Sequence, residues 1–350
     1  MRIVVTGATG NVGTSVVAAL AADERVTEIV GIARRLPQLQ PPRTTWVAAD
    51  VVTAGLAELF RGADAVIHLA WLIQPSRDEA VTRAVNVEGS HRVFEAAAAA
   101  GVGALVHASS IGAYSPAPDD RVVDESWPTG GTPTSFYGRH KAAAERLLDG
   151  IEAAHPDLRV VRLRPALCFK RDAASGIRRL FAGPLLPSRL VRPDLIPVLP
   201  LPKGLRLQAV HSDDAGDAYR RAALDERARG AYNVAADPVL DAAQLGRTLG
   251  ARPVELPVRA VRVAADLSWR ARLQPTPAGW LDMGMGVPLM DTRRIRDELG
   301  WAPRVDADAA LLELIAGIRE SAGVPTPPLA PETGGPARVR ELLKGVGAKA

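Results

Sequence analysis

Apolar residues recur along this chain in two alternating rhythms. Short aliphatic or β-branched runs at residues 3–6, 28–33, 45–49, 65–69, 105–109 and 159–163 are separated by stretches where apolar positions return every three or four residues, notably 14–21, 86–100 and 137–154. Runs with little polar alternation predict strands buried on both faces, and the longer rhythm predicts helices packed against them. Their alternation predicts an α/β fold, a doubly wound parallel sheet of Rossmann-like type, with ligands at the carboxyl ends of the strands.

After residue 165 the rhythm breaks. Residues 166–207 are rich in Pro, Leu and Arg, with Pro184, Pro187, Pro193, Pro197, Pro200 and Pro202, which predicts an irregular, substrate-facing segment. Strand-like order returns at 208–210 and 231–234, and helical patterns follow at 240–249 and 293–299. The expected division is a dinucleotide-binding domain over 1–165, to which 208–236 return, and a smaller substrate-binding lobe built from 166–207 and 237–320. The Pro/Gly-rich and then basic end, 321–350, reads as a mobile tail, with 337–344 as its one candidate for a lid or partner-binding helix.

Composition narrows the classes. A chain of 350 residues that is 47% hydrophobic can bury a large core. Its net charge is +4 and its arginines are dispersed without a basic run, so nucleic acid is not an expected partner. The single cysteine, Cys168, excludes an internal disulfide and reads as a buried, inert thiol; no Cys/His group has zinc spacing, so no metal is expected. The first strand begins at residue 3, leaving no room for a signal peptide, and no apolar run reaches the length of a membrane span. A cytoplasmic protein without a membrane partner is the expectation.

Two features carry chemistry. Tyr137 and Lys141 stand four residues apart at a predicted helix start, which places a phenol and an ammonium on one face, where the cation can lower the phenol's pKa. At the other end of the domain, Gly7-Ala8-Thr9-Gly10-Asn11-Val12-Gly13 joins the first strand to a helix, a turn whose N–H groups and helix dipole can hold a pyrophosphate. Its spacing departs from G-x-G-x-x-G because Ala8 and Thr9 separate the first two glycines.

Glycine turn, serines ending a strand and Tyr-x-x-x-Lys, in that order, resemble the short-chain dehydrogenase/reductase superfamily; the length resembles its extended epimerase/dehydratase branch. Over residues 1–320 further motifs of that branch recur in order: Asp50-Val51, Val66-Ile67-His68-Leu69-Ala70, Asn86-Val87-Glu88-Gly89, His107 to Tyr114, Arg164-Pro165, Val210 to Asp214, Tyr232-Asn233-Val234 and Leu299 to Pro303. The resemblance implies that Gly7, Thr9, Gly10, Asn11, Val12 and Gly13 cradle the cofactor pyrophosphate, that Asp50 and Val51 meet the adenine, and that Leu69 and Ala70 lie beside the nicotinamide. It further implies Tyr137 as acid/base, and Lys141 as its electrostatic partner and holder of the nicotinamide ribose. Ser110 is implied as the residue that orients the substrate oxygen. Ser110 is preferred to Ser109 because it lies four residues before Tyr114, the register of the branch's epimerases; Ser109, His68 and His140 are assigned structural roles. A homodimer pairing through the helices at Asn86 and Tyr137 is the implied assembly.

Departures from the pattern narrow the reaction. The sugar dehydratases of the branch carry Asp-Glu where this chain has Ile111-Gly112, and its fucose-synthase type of double epimerase has a cysteine in place of Ile111. Reversible hydride transfer to or from a carbonyl/alcohol carbon of a small molecule remains. An NADPH-dependent reductase is favoured, with a nucleotide-sugar epimerase holding NAD and a non-catalytic dinucleotide sensor as alternatives. Ala33 occupies the place of a ribose-binding carboxylate and is followed by Arg34 and Arg35, which favours NADP(H) over a still possible NAD(H). Arg206 sits where a substrate diphosphate would need a cation, and Arg178, Arg179, Arg189 and Arg192 are further candidates. Trp71 replaces a small residue after His-x-Ala and predicts a tighter, more apolar pocket.

Overall fold

The computed structural model describes residues 1–74, 77–117, 119–178 and 197–331; Arg179, Arg189, Arg192 and the candidate helix 337–344 lie outside them. Its strands are β1 (Arg2–Thr6), β2 (Glu28–Ala33), β3 (Thr44–Ala48), β4 (Ala65–His68), β5 (Ala104–Ala108), β6 (Val122–Val123), β7 (Arg159–Pro165), β8 (Leu167–Phe169), β9 (Val198–Pro202), β10 (Arg206–His211), β11 (Gly230–Val234), β12 (Ala236–Asp241), β13 (Arg252–Leu256) and β14 (Leu289–Met290). The helices are α1 (Asn11–Ala21), α2 (Leu56–Phe60), α3 (Glu79–Arg83), α4 (Ser90–Ala99), α5 (Phe136–Ala154), α6 (Ala174–Ile177), α7 (Ser212–Leu224), α8 (Ala242–Leu249), α9 (Val258–Arg270), α10 (Gly279–Gly286), α11 (Arg293–Leu299) and α12 (Ala307–Glu320).

Seven strands form one parallel sheet in the order β11-β7-β5-β4-β1-β2-β3. Chain order reverses at β1, with β2 on one side and β4 on the other, and a crevice opens at such a switch point beyond the carboxyl ends. Both faces are dry. Ile3, Val5, Ile67 and Val106 pack with Val16, Val17 and Leu20 of α1 and Ala218 and Tyr219 of α7. Val4, Val66, Leu105 and Val160 turn the other way, against Phe60, Phe94, Leu148 and Ile151 of α2, α4 and α5. The period-2 side-chain alternation of a strand thus feeds two cores at once, which is why these strands read as continuous apolar runs.

Outside that sheet the chain builds smaller ones: β8, β10 and β12 in one, β9 with β13 and β6 with β14 in two others. Within 208–236, the stretch expected to return to the main domain, β10 pairs with β8 and β12, and β11 joins the central sheet. The helix expected over 240–249 starts two residues later, because Asp241 ends β12 and caps α8 by accepting the Gln244 N–H at 2.7 Å. Residues 321–331, expected as the start of a mobile tail, pack back onto α6: Leu329 is buried and its carbonyl accepts from Ser175 Oγ at 2.9 Å. No helix of the described residues is long and apolar enough to cross a membrane.

Candidate active site

The site assembles where β1, β4 and β5 end. β1 runs into Gly7, whose φ of +70° belongs to the left-handed region; a Cβ there would lie 2.6 Å from the Ala70 amide nitrogen, so only glycine lets the turn approach the end of β4. Helix α1 then begins at Asn11 with no side-chain cap and no carboxylate in its first turn, so its leading N–H groups are left for an anion. The Asn11 side chain is itself structural, donating to the Cys168 carbonyl at 2.9 Å and accepting from Ser212 Oγ at 2.9 Å. This turn and the uncapped start of α1 fit a dinucleotide.

The other residues expected to meet the cofactor follow β2, β3 and β4. Leu69 N–H donates to the Thr6 carbonyl, Val51 is buried, and Asp50 Oδ1 accepts the Val52 N–H at 2.9 Å. Arg34 and Arg35 follow β2, both exposed and bonded to no described residue.

Tyr137, Lys141 and Ser110 are brought together. Ser135 starts α5 by accepting the Gly138 N–H at 3.3 Å, which sets Tyr137 in the first turn and Lys141 one turn on. Ser110 Oγ accepts the Gly112 N–H at 3.0 Å, capping the short 3-10 turn Ile111–Ala113, and lies close enough to the Tyr137 phenol to pull its pKa down. Gly112 is where that turn meets the phenol: a Cβ on it would stand 2.9 Å from Tyr137 Cε1 and 3.0 Å from Met283 Sδ.

The electrostatics differ from the expectation of an ammonium-lowered phenol. Burial pushes the Tyr137 phenol up to about 12, against the opposing hydrogen bond from Ser110, and the phenol is therefore a proton donor at neutral pH. Lys141 turns away from the hydroxyl: Nζ donates to the Ala108 carbonyl at 2.5 Å and lies 3.4 Å from the Trp71 ring centroid, against 5.7 Å for Tyr137. Burial also draws the Lys141 ammonium well below its ordinary value, with the Glu145 carboxylate pulling the other way.

Ser109 points elsewhere. Its Oγ donates to Glu145 at 2.5 Å; Arg164 closes on the same carboxylate at 2.9 and 3.1 Å, and Tyr114 receives the Arg164 guanidinium and donates to Asn233. Burial raises the Glu145 carboxyl, but Arg164, Ser109 and Arg162 outweigh it and hold the group below its ordinary value. His68 is bonded by Thr6 and Ser90, and His140 lies buried beside Asn86 and Glu79. Cys168 is half-buried, and burial pushes its thiol up to about 12, keeping it neutral. Arg206 does not turn toward Tyr137: it pairs with Asp120 at 2.6 Å and donates to the Asp119 carbonyl at 2.8 Å.

The profile of the NAD dependent epimerase/dehydratase family matches residues 3–235. This chain belongs to that family. Among relatives of this epimerase/dehydratase protein, an uncharacterized protein of Mycobacterium tuberculosis, Rv2047c, is 30% identical over 326 residues, covering 93% of this chain and 31% of its own length. The chain thus spans about a third of that relative. A 3-diazoavenalumate denitrifying reductase of a Streptomyces species is 32% identical over 330 residues, covering 87% of this chain and 96% of that one. Among solved structures, MoeE5 in complex with UDP-glucose and NAD superposes with a TM-score of 0.67 at 22% identity, over 92% of this chain and 99% of that one, a likeness of fold.

Sequence reasoning passed over two residues of the site. Trp280 of α10 lies beside Tyr137, ring centroids 5.1 Å apart and planes tilted by 37°, and Met283 follows one helical turn later. Their signal was present in the Trp-Leu-Asp-Met spacing, i and i+3 on one helical face. Nothing local in it says which element that face would meet.

Proposed function

We propose that this chain catalyses hydride transfer to a carbonyl carbon of a small molecule with Tyr137 as the proton donor, as an NADPH-dependent reductase. The observation that carries the reading is the protonated Tyr137 phenol, set close to Ser110 and one helical turn before Lys141. The Gly7 to Gly13 turn with Ala70, and Asp50 with Val51, are the residues that would hold the dinucleotide. A nicotinamide cofactor supplies the hydride when bound.

In this mechanism Ser110, whose oxygen is already fixed by the Gly112 N–H, orients the substrate oxygen toward Tyr137. Tyr137 gives its proton to that oxygen as charge develops on it, general acid help of about 10²–10⁴-fold. Lys141, seated on the Trp71 ring with its ammonium 5.7 Å from the Tyr137 ring centroid, acts on the phenolate so formed only at a distance. Arg34 and Arg35, exposed beyond β2 and bonded to no described residue, favour a ribose 2′-phosphate and hence NADP(H). Reduction is favoured over epimerisation of a nucleotide sugar because Arg206, the described cation best placed in sequence for a diphosphate, is spent on Asp119 and Asp120. The 3-diazoavenalumate reductase relative supports the same direction.

Mass spectrometry of the natively purified protein tests this reading. Protein that emerges without a dinucleotide and binds NADPH on titration is the expected result. A retained NAD overturns it in favour of an epimerase.

A further inference from the structure

Tyr137 stands between two tryptophans that come from different parts of the chain. Trp71 leaves the end of β4 and meets the phenol edge-on, centroids 5.9 Å apart at 72°; Trp280 comes from α10 and lies 5.1 Å away at 37°. All three rings are half-buried, so each keeps part of its surface open. Met283 adds its thioether next to Gly112 and the phenol, and accepts from Ser135 Oγ at 3.6 Å. The side chains that surround the reactive hydroxyl are therefore aromatic rings and a sulfur, with Lys141 already seated on Trp71.

Helix α10 is held in this position by several ties. Asp282 pairs with Arg262 through bonds of 2.8 and 3.1 Å, the Gly286 carbonyl accepts the Ala117 N–H at 2.9 Å, and Arg206 reaches the Met285 carbonyl at 3.5 Å. Arg206 thus anchors the element carrying Trp280 and Met283 while its charge is satisfied by Asp120. A diphosphate needs fixed cations with free donors, whereas a flat π-system needs rigid rings; around Tyr137 the side chains of Trp71 and Trp280 supply rings, and Arg206 is committed to Asp120.

We propose that Trp280, by its face, and Trp71, by its edge, clamp a planar, uncharged aromatic carbonyl compound beside Tyr137, making Trp280 a specificity-determining residue. The inference deepens the reductase reading and rests on Tyr137 as the proton donor. Stacking strength falls when a ring is saturated, because the flat faces can no longer lie together.

The experiment separates recognition from turnover. In the presence of saturating NADP(H), binding of 2-naphthylmethanol, its saturated decahydro counterpart and UDP is measured by equilibrium dialysis on wild type, Trp280→Phe and Trp280→Leu. Consumption of NADPH with 2-naphthaldehyde is followed separately. The naphthyl alcohol is expected to bind wild type about tenfold more tightly than the saturated one. Trp280→Leu should erase that ratio and Trp280→Phe should keep most of it. No binding of the naphthyl alcohol, an unchanged ratio in Trp280→Leu, or its displacement by UDP overturns the clamp. Tight naphthyl binding without any NADPH consumption leaves the clamp standing and counts against the reductase reading alone.

Discussion

Ser109 and Ser110 leave the end of β5 side by side and serve opposite ends. Ser109 enters a closed network in which Glu145, Arg164, Tyr114 and Asn233 satisfy one another deep in the fold. Ser110 meets Tyr137 in a half-open cleft, beside a Trp71 indole N–H that finds no partner among the described residues. Helix α5 repeats the contrast along its length, offering Tyr137 and Lys141 to the cleft and Glu145, one further turn on, to the network. A saturated network holds the backbone; the neighbouring groups, less completely paired, remain free to react.

Breaking each side separately sharpens the distinction. Tyr137→Phe should lower kcat by about 10²–10⁴-fold while thermal stability and the cofactor dissociation constant stay near wild type; a variant that turns over normally would remove Tyr137 from the chemistry. Glu145→Ala leaves Arg164 buried without its counter-charge and should cost about 3–5 kcal/mol of stability, read by urea unfolding.

The serine pair should divide the effects. Ser110→Ala is expected to reduce kcat/KM by about 10- to 100-fold at nearly unchanged stability, and Ser109→Ala to lose about 1.5–3 kcal/mol of stability with a smaller kinetic effect. Equal profiles for the two variants would mean that the strand end does not divide its labour. Acid probes the same network. Glu145 has a folded-state pKa below its unfolded one, so its contribution is complete above the unfolded value and is lost as pH falls through the folded value. Unfolding midpoints measured downward from pH 6 should fall more steeply for wild type than for Glu145→Gln. Arg34→Ala should shift the ratio of NADPH to NADH dissociation constants by about tenfold toward NADH through loss of a charge-assisted bond; an unchanged ratio would remove Arg34 from the choice.

Much of the scaffold was legible along the chain. β1 to β5 and α5 fall within a residue or two of the expected runs, because strands buried on both faces and a helix with one apolar stripe leave strong periodic marks. α7 was harder to see, since Ser212-Asp213-Asp214 opens it with polar residues whose partners, such as Ser15 for Asp213 and Arg304 for Asp214, lie far away in sequence. α9 carries no buried residue at all, so no core-facing stripe announces it as part of a packed lobe.

The sequence by itself determined the parallel sheet, the glycine turn into α1, and the pairing of a tyrosine with a lysine on one helical face. These depend on contacts within a few residues or on a repeating pattern. The tertiary structure decided what surrounds that pair. It turned Lys141 from the phenol toward Trp71 and Ala108, drew Arg206 away to Asp120, and set Trp280 against a tyrosine 143 positions earlier in the chain. Burial, which no local pattern encodes, then raised the phenol's pKa further above neutrality.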